Sequence, residues 1–223
     1  MSQFHIRRVA VLGAGVMGAQ IAAHLVNARI PVLLFDLPSS EGPDKSAIAN
    51  KAIAALTKMK PAPLGRASDA ALIQAANYDD HLSQLKTCDL VIEAIAERLD
   101  WKHALYEKIA PHLSADAILA TNTSGLSITA LGQPLPEALA AQFCGVHFFN
   151  PPRYMSLVEL IATPHTRPEV MDQLEAFVTA VLGKSAVRAK DTPNFIANRI
   201  GTAGLLATFV EAERYGLTFD LGD

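Results

Sequence analysis

Apolar residues along this chain fall into short runs closed by turn residues, alternating with longer stretches where they recur every three or four positions. Val9-Ala10-Val11-Leu12 is the first run. After Gly13-Ala14-Gly15 the spacing becomes helical, with Ile21, Ala22 and Leu25 on one face. Pro31-Val32-Leu33-Leu34-Phe35 is the next strand, so residues 8–36 predict a β-α-β unit. Ile48, Ala52, Ile53 and Leu56 place a helix over 46–59, and 67–76 reads as a second helix. Two helices in succession predict a helical excursion from the sheet, a place where a large substrate could be gripped. Buried strands are predicted at 89–95 and 117–121, with a helix over 100–112 between them, then strands at 143–149 and 157–161. Thr166-Arg167-Pro168-Glu169 reads as a capping box that opens a helix to Leu182, closed by Gly183 and followed by a short strand at 185–188.

Asp191-Thr192-Pro193 marks a boundary. Beyond it, 194–215 reads as one long helix whose apolar residues (Phe195, Ile196, Ile200, Leu205, Leu206, Phe209, Val210) cover more than one face. Such a helix expects neighbours on several sides. Residues 1–190 are therefore read as one α/β domain and 191–223 as the start of a helical second domain, cut short by the end of the chain.

The glycines after the first strand give the α/β domain its chemistry. Gly13, Gly15 and Gly18 fall in the G-x-G-x-x-G pattern, where the first permits a tight turn and the second lets a pyrophosphate approach the backbone. The third lets the helix pack close to the sheet. The helix N-terminus then offers free N–H groups and a positive dipole end to phosphates. Asp36, at the end of the second strand, stands where a dinucleotide fold needs a carboxylate for ribose hydroxyls. A carboxylate there repels a 2′-phosphate, which favours NAD over NADP. The fold class is a Rossmann-type, doubly wound, mostly parallel sheet. Two blander readings compete, a secretory signal after Arg7-Arg8 and a glycine turn that binds no nucleotide. A signal core does not need glycines at this spacing, and Gln20 and His24 interrupt the apolar run.

Composition narrows the class without changing it. Half of the 223 residues are apolar and 18% are charged, as in a packed α/β protein. The net charge of −3 points to neither nucleic acid nor an anionic membrane surface as partner. Cys88 and Cys144 are isolated, with no metal or disulfide spacing, as expected of a cytoplasmic protein.

Strand ends in open α/β sheets form the ligand crevice, so Glu97, Asn122 and Ser124 are expected beside Gly13, although polar strand ends also serve as ordinary caps and turns. The run Phe143-Cys144-Gly145-Val146-His147-Phe148-Phe149-Asn150-Pro151-Pro152 sets a histidine in an apolar strand just before a turn. Leu157-Val158-Glu159-Leu160-Ile161 sets one acid in another. If the two form an antiparallel hairpin centred on Arg153, His147 lies directly opposite Glu159. Each then satisfies the other's need for a partner. Spacing alone fits a structural bridge as well as a catalytic dyad.

With His147, Asn150, Glu159 and the stretch Lys190-Asp191-Thr192-Pro193-Asn194-Phe195-Ile196-Ala197-Asn198-Arg199 in view, the chain resembles the L-3-hydroxyacyl-CoA dehydrogenase family over essentially its whole length. Lys58-Met59-Lys60-Pro61-Ala62-Pro63 and the Asn-Pro-Pro-Arg-Tyr turn look most like the bacterial β-oxidation branch, in which an enoyl-CoA hydratase is joined to the dehydrogenase. The resemblance implies oxidation of a (3S)-3-hydroxyacyl-CoA to the 3-oxoacyl-CoA with NAD, in a parent protein that is dimeric or multifunctional. His147 would be the general base, oriented by Glu159. Ser124 would bond the reacting oxygen, Asn198 would place the substrate and Asn150 would border the site. Gly13, Gly15, Val16, Met17, Gly18, Asp36, Glu97, Lys102 and Asn122 would contact NAD. Lys51 and Lys58, seven apart on one helix face, would approach the CoA phosphates unless they are simply solvated lysines. The resemblance also implies that the shortened second domain leaves this chain weakly active. A sister dehydrogenase of a free hydroxy acid or sugar acid, and a non-catalytic NAD(H)-binding module, remain alternatives.

Overall fold

A computed structural model describes residues 6–217. Residues 1–5 and 218–223, the latter including the expected early stop of the second domain, lie outside the described residues. Among the described residues eight strands form one sheet: β1 (Val9–Leu12), β2 (Val32–Asp36), β3 (Ile73–Asn77), β4 (Leu90–Glu93), β5 (Ile118–Thr121), β6 (Phe143–Phe148), β7 (Leu157–Ala162) and β8 (Ser185–Ala189). Their order is β3-β2-β1-β4-β5-β6-β7-β8, and all neighbours are parallel except β6 and β7. The chain winds outward from β1 in both directions, which opens a crevice at the strand ends between β1 and β4.

Helices α1 (Val16–Asn27), α2 (Ala47–Leu56), α3 (Leu99–Ile109), α4 (Ile128–Gly132), α5 (Glu137–Ala140) and α6 (Pro168–Ala176) accompany the sheet, and α7 (Ala197–Arg214) follows it. The inner strands are apolar on both sides because both sides are covered. Val9 and Val11 of β1 join a cluster with Ile21 and Leu25 of α1 and Leu174 of α6. Ala10 and Leu12 join another with Tyr106 and Ile109 of α3. Among the described residues no helix is long and apolar enough to cross a membrane.

The structure corrects four of the expected elements. Residues 67–76 are not a helix: a 3₁₀ turn, Ala67–Leu72, leads into β3, which pairs in parallel with β2 from Val32↔Ile73 to Asp36↔Asn77. The alanines there favour a helix locally, but the open edge of β2 and burial of Ile73 and Ala76 outweigh that preference. Helix α2 ends at Leu56, so Lys58 lies in the turn beyond it rather than on the helix face of Lys51. Thr166 is not the cap of α6. Arg167 holds that position without a side-chain bond, while the Thr166 hydroxyl donates to Phe143 O at 2.6 Å. Helix α7 begins at Ala197 because Asn194 and Phe195 take left-handed backbone angles, φ +63° and +49°.

Helix α1 is almost wholly buried, His24 included. Its Nε2 lies 3.2 Å from Leu182 O, and its Nδ1 has no hydrogen-bond partner among the described residues. Burial, and then the Lys184 charge, hold its pKa down at about 4. The folded value lies below the unfolded one, so the unfolded chain takes the proton first as pH falls. The stability held by neutral His24 is complete above the unfolded pKa, about 6.5, and is lost between there and about 4, up to about 3 kcal/mol. Urea unfolding at about pH 7.5 and about pH 5 should therefore show a smaller acid-side loss for His24→Gln than for the native chain. Equal losses in the two would show that His24 does not titrate in this way.

Candidate active site

The glycine turn is shaped by what stands against it. Gly13 has φ +105°, and a Cβ there would come within 2.8 Å of Ala94 O. A Cβ at Gly18 would overlap the Gly13 carbonyl oxygen. Both positions thus require glycine for close packing of β4 and α1 on the turn. Gly15 has open space where its side chain would be, and no side chain caps the α1 N-terminus. The first-turn N–H groups are left for a ligand. Asp36 steadies the turn, accepting from Ala14 N–H at 2.6 Å through Oδ2 and from Leu37 N–H at 2.7 Å through Oδ1.

Two cavities meet at Gly15 and the segment 94–96. One of about 560 Å³ is bordered by Asp36, Leu37, Tyr78, Trp101 and Lys108. The other, of about 590 Å³, is bordered by Val16, Met17, Glu97, Asn122 and Ser124, and by Asn194 and Asn198 from the far side. An elongated, phosphate-containing dinucleotide fits this arrangement: glycine backbone in the middle, a carboxylate at one end and polar side chains at the other.

Behind Ser124 the expected hairpin is in place, with His147 on β6 directly opposite Glu159 on β7. His147 Nδ1 lies 2.8 Å from Glu159 Oε2, and its Nε2 lies 3.0 Å from Ser124 Oγ. Both side chains are buried, and the rings of Phe149 and Phe195 stand edge-on to the imidazole at 4.5 and 5.5 Å. The Ser124 loop is held by Glu97, which accepts from the N–H groups of Ser124 and Gly125 at 2.7 and 2.6 Å. Asn122 accepts from Phe148 N–H at 2.9 Å, which ties the end of β5 to the histidine strand. Such a row (hydroxyl, imidazole, carboxylate) can accept a proton from a bound alcohol.

Four residues stand elsewhere than expected. Lys102 is buried, ion-paired with Glu93, and reaches Glu97 only at 3.8 Å. Asn150 is exposed at the turn and accepts from Gln20 at 3.2 Å. Lys51 is exposed on α2, and Lys58 is exposed beyond it. Neither lysine borders the two cavities.

Sequence reasoning missed Glu93, which has no exposed surface and four hydrogen-bond donors around it. Lys102 Nζ and Ile95 N–H serve Oε1, and Tyr106 Oη and Thr121 Oγ1 serve Oε2. Burial, and then the Glu93 charge, push the Tyr106 phenol well above its usual range. The lone acid within the apolar run of β4 was the available signal. Asp191 was read only as a boundary. It accepts from Ser127 Oγ and from the N–H groups of Ile128 and Thr129 at the start of α4. Partial burial alone would raise its carboxyl, but these bonds outweigh that and hold it below the usual range.

Comparison with known proteins agrees with this geometry. The family model described as "3-hydroxyacyl-CoA dehydrogenase, NAD binding domain" matches residues 8–192. The chain belongs to the 3-hydroxyacyl-CoA dehydrogenase family. The matched span is that family's NAD-binding domain, which makes NAD the cofactor. A probable 3-hydroxyacyl-CoA dehydrogenase of Deinococcus radiodurans is 43% identical over 213 residues, 96% of this chain and 62% of the relative. A putative fatty acid oxidation complex trifunctional enzyme of Rickettsia felis is 44% identical over 199 residues, 89% of this chain and 28% of the relative. The chain thus spans less than two thirds of either. The crystal structure of Mycobacterium tuberculosis FadB2 superposes with a TM-score of 0.81 at 30% identity, covering 96% of this chain and 74% of that one.

The buried ion pair of this family member yields a stability prediction. Lys102→Met leaves the Glu93 carboxylate without its cation and should cost about 3–5 kcal/mol. Adding Glu93→Gln removes the orphaned charge and should recover most of that loss. Urea unfolding of both singles and the double gives the coupling. Additive losses would contradict a tightly coupled pair.

Proposed function

We propose that this chain catalyses NAD-dependent oxidation of a (3S)-3-hydroxyacyl-CoA to the 3-oxoacyl-CoA, with His147 as general base. The observation that carries the reading is the row Ser124–His147–Glu159, hydrogen-bonded beside an uncapped glycine turn. With Nδ1–H donating to Glu159, His147 presents the Nε2 lone pair to the substrate hydroxyl and takes its proton. Glu159 fixes the ring orientation and supports the imidazolium that forms. Ser124 Oγ, now 3.0 Å from Nε2, donates to the oxygen as it becomes a carbonyl. Bound NAD supplies the acceptor for the hydride that leaves C3.

The remaining roles extend the same reading. Gly13, Gly15, Val16, Met17 and Gly18 receive the pyrophosphate, and Asp36 keeps lone pairs free for ribose hydroxyls. Glu97 and Asn122 border the nicotinamide end, with buried Lys102 acting through Glu97. Asn198, on α7, faces the cleft from the far side and places the substrate. By the family resemblance Asn150 borders the substrate, and Lys51 and Lys58, outside the two cavities, approach the CoA phosphates. The exposed apolar residues of α7 (Ile200, Leu205, Leu206, Val210) support reading this helix as the start of a helical second domain. The trifunctional relative supports a place in fatty acid oxidation, and the family resemblance adds an enoyl-CoA hydratase joined to the dehydrogenase.

The test is acetoacetyl-CoA-dependent oxidation of NADH, with free acetoacetate alongside. Turnover of the thioester alone is expected, and His147→Ala should lower kcat about 10²–10⁴-fold with NADH affinity retained. Comparable turnover of the free acid would replace the acyl-CoA substrate with a free-acid one. NADH binding with no turnover of either would leave a non-catalytic cofactor module.

A further inference from the structure

Glu159 holds more than the imidazole. While Oε2 faces His147, Oε1 accepts the N–H groups of Ile196 and Ala197 at 3.0 and 2.9 Å. These are donors at the start of α7, where a helix leaves its first amides without intrahelical partners. The acceptor comes from a strand 37 residues earlier in the chain.

The chain reaches this arrangement through an uncommon turn. Asn194 and Phe195 lie in succession at φ +63° and +49°, a region that non-glycine residues rarely occupy. Such backbone persists where its surroundings over-determine it. Here the turn is clamped at both ends. Upstream, Asp191 grips the first amides of α4; downstream, the Ile196 and Ala197 amides grip Glu159. Between the clamps Phe195 N–H donates to Thr192 O at 2.9 Å, and the buried Phe195 ring stands edge-on to His147.

The geometry points to the Asn194–Phe195 turn as a positioning element of the dyad: its left-handed backbone delivers two amide donors to Glu159 and an aromatic edge to His147. The base is thereby held from the side of α7 as well as from its own hairpin. Asn194 and Phe195 are positioning residues because they act through Glu159 and His147. The catalytic consequence rests on the dehydrogenase reading, whereas the hydrogen-bond tie does not.

The test compares Asn194→Val with Asn194→Gly by two readouts, amide hydrogen exchange at Ile196 and Ala197 and steady-state kinetics. Valine resists positive φ and glycine does not, so the Val variant should speed exchange at both amides and lower kcat, each roughly tenfold. NADH affinity should stay within about threefold. The Gly variant should restore slow exchange and recover most of the lost turnover. Glu159→Gln should shift both amide resonances, because the anionic acceptor is gone. Native-like exchange and kcat in Asn194→Val would overturn the proposal. So would a Gly variant as impaired as the Val variant, since the side chain rather than the backbone would then matter. Should Asn194→Val fail to fold, Asn194→Ala against Asn194→Gly decides the same question. If the native chain turns over no hydroxyacyl-CoA, the dehydrogenase reading fails, and the exchange measurements still decide whether the turn is tied to Glu159.

Discussion

A carboxylate with no exposed surface must find every hydrogen-bond donor inside the protein, and Glu159 finds its donors on two different parts of the chain. The imidazole of β6 takes one oxygen and the backbone leading into α7 takes the other. Left unpaired, such a charge would cost several kcal/mol, so the strand pairing, the turn after Asp191 and the histidine orientation are mutually required. Glu93 repeats the solution at the end of β4, surrounded by Lys102, Tyr106, Thr121 and the Ile95 amide. Glu97 bridges from the Lys102 side to the Ser124 loop.

Much of this was legible in the residues because it depends on short-range rules. The G-x-G-x-x-G turn and Asp36 sit where strand and helix periods meet, and the hairpin register follows from symmetric spacing about Arg153 once the two strands are taken as antiparallel. What escaped was set by tertiary partners. The alanine-rich stretch before Asn77 has a helical preference that only the free edge of β2 overrides. Thr166 looks like a cap until the carbonyl of Phe143 is brought within reach of its hydroxyl. The family resemblance makes Lys102 a cofactor contact, while burial turns it toward Glu93. No local pattern announces that Asn194 and Phe195 take left-handed angles, since neither is glycine.

The cleft divides its labour between backbone and side chain. Around Gly13, Gly15 and Gly18 it is the absence of side chains that makes room, and the groups offered are amides on a rigid helix start. Around Ser124 the groups offered are side chains, each braced by a second residue: Ser124 by Glu97, His147 by Glu159, and the end of β5 by the Asn122–Phe148 bond. Bracing of this kind suits proton transfer, which depends steeply on donor–acceptor geometry.

The reversal of strand direction between β6 and β7 has a kinetic side. His147 and Glu159 are separated by only 12 residues, whereas the two strands flanking the glycine turn pair Val9 with Leu90 across a long crossover. A hairpin closes in microseconds, while parallel pairings must first meet the entropy of large loops. During folding the acid–base pair can therefore form while the nucleotide crevice is still open chain.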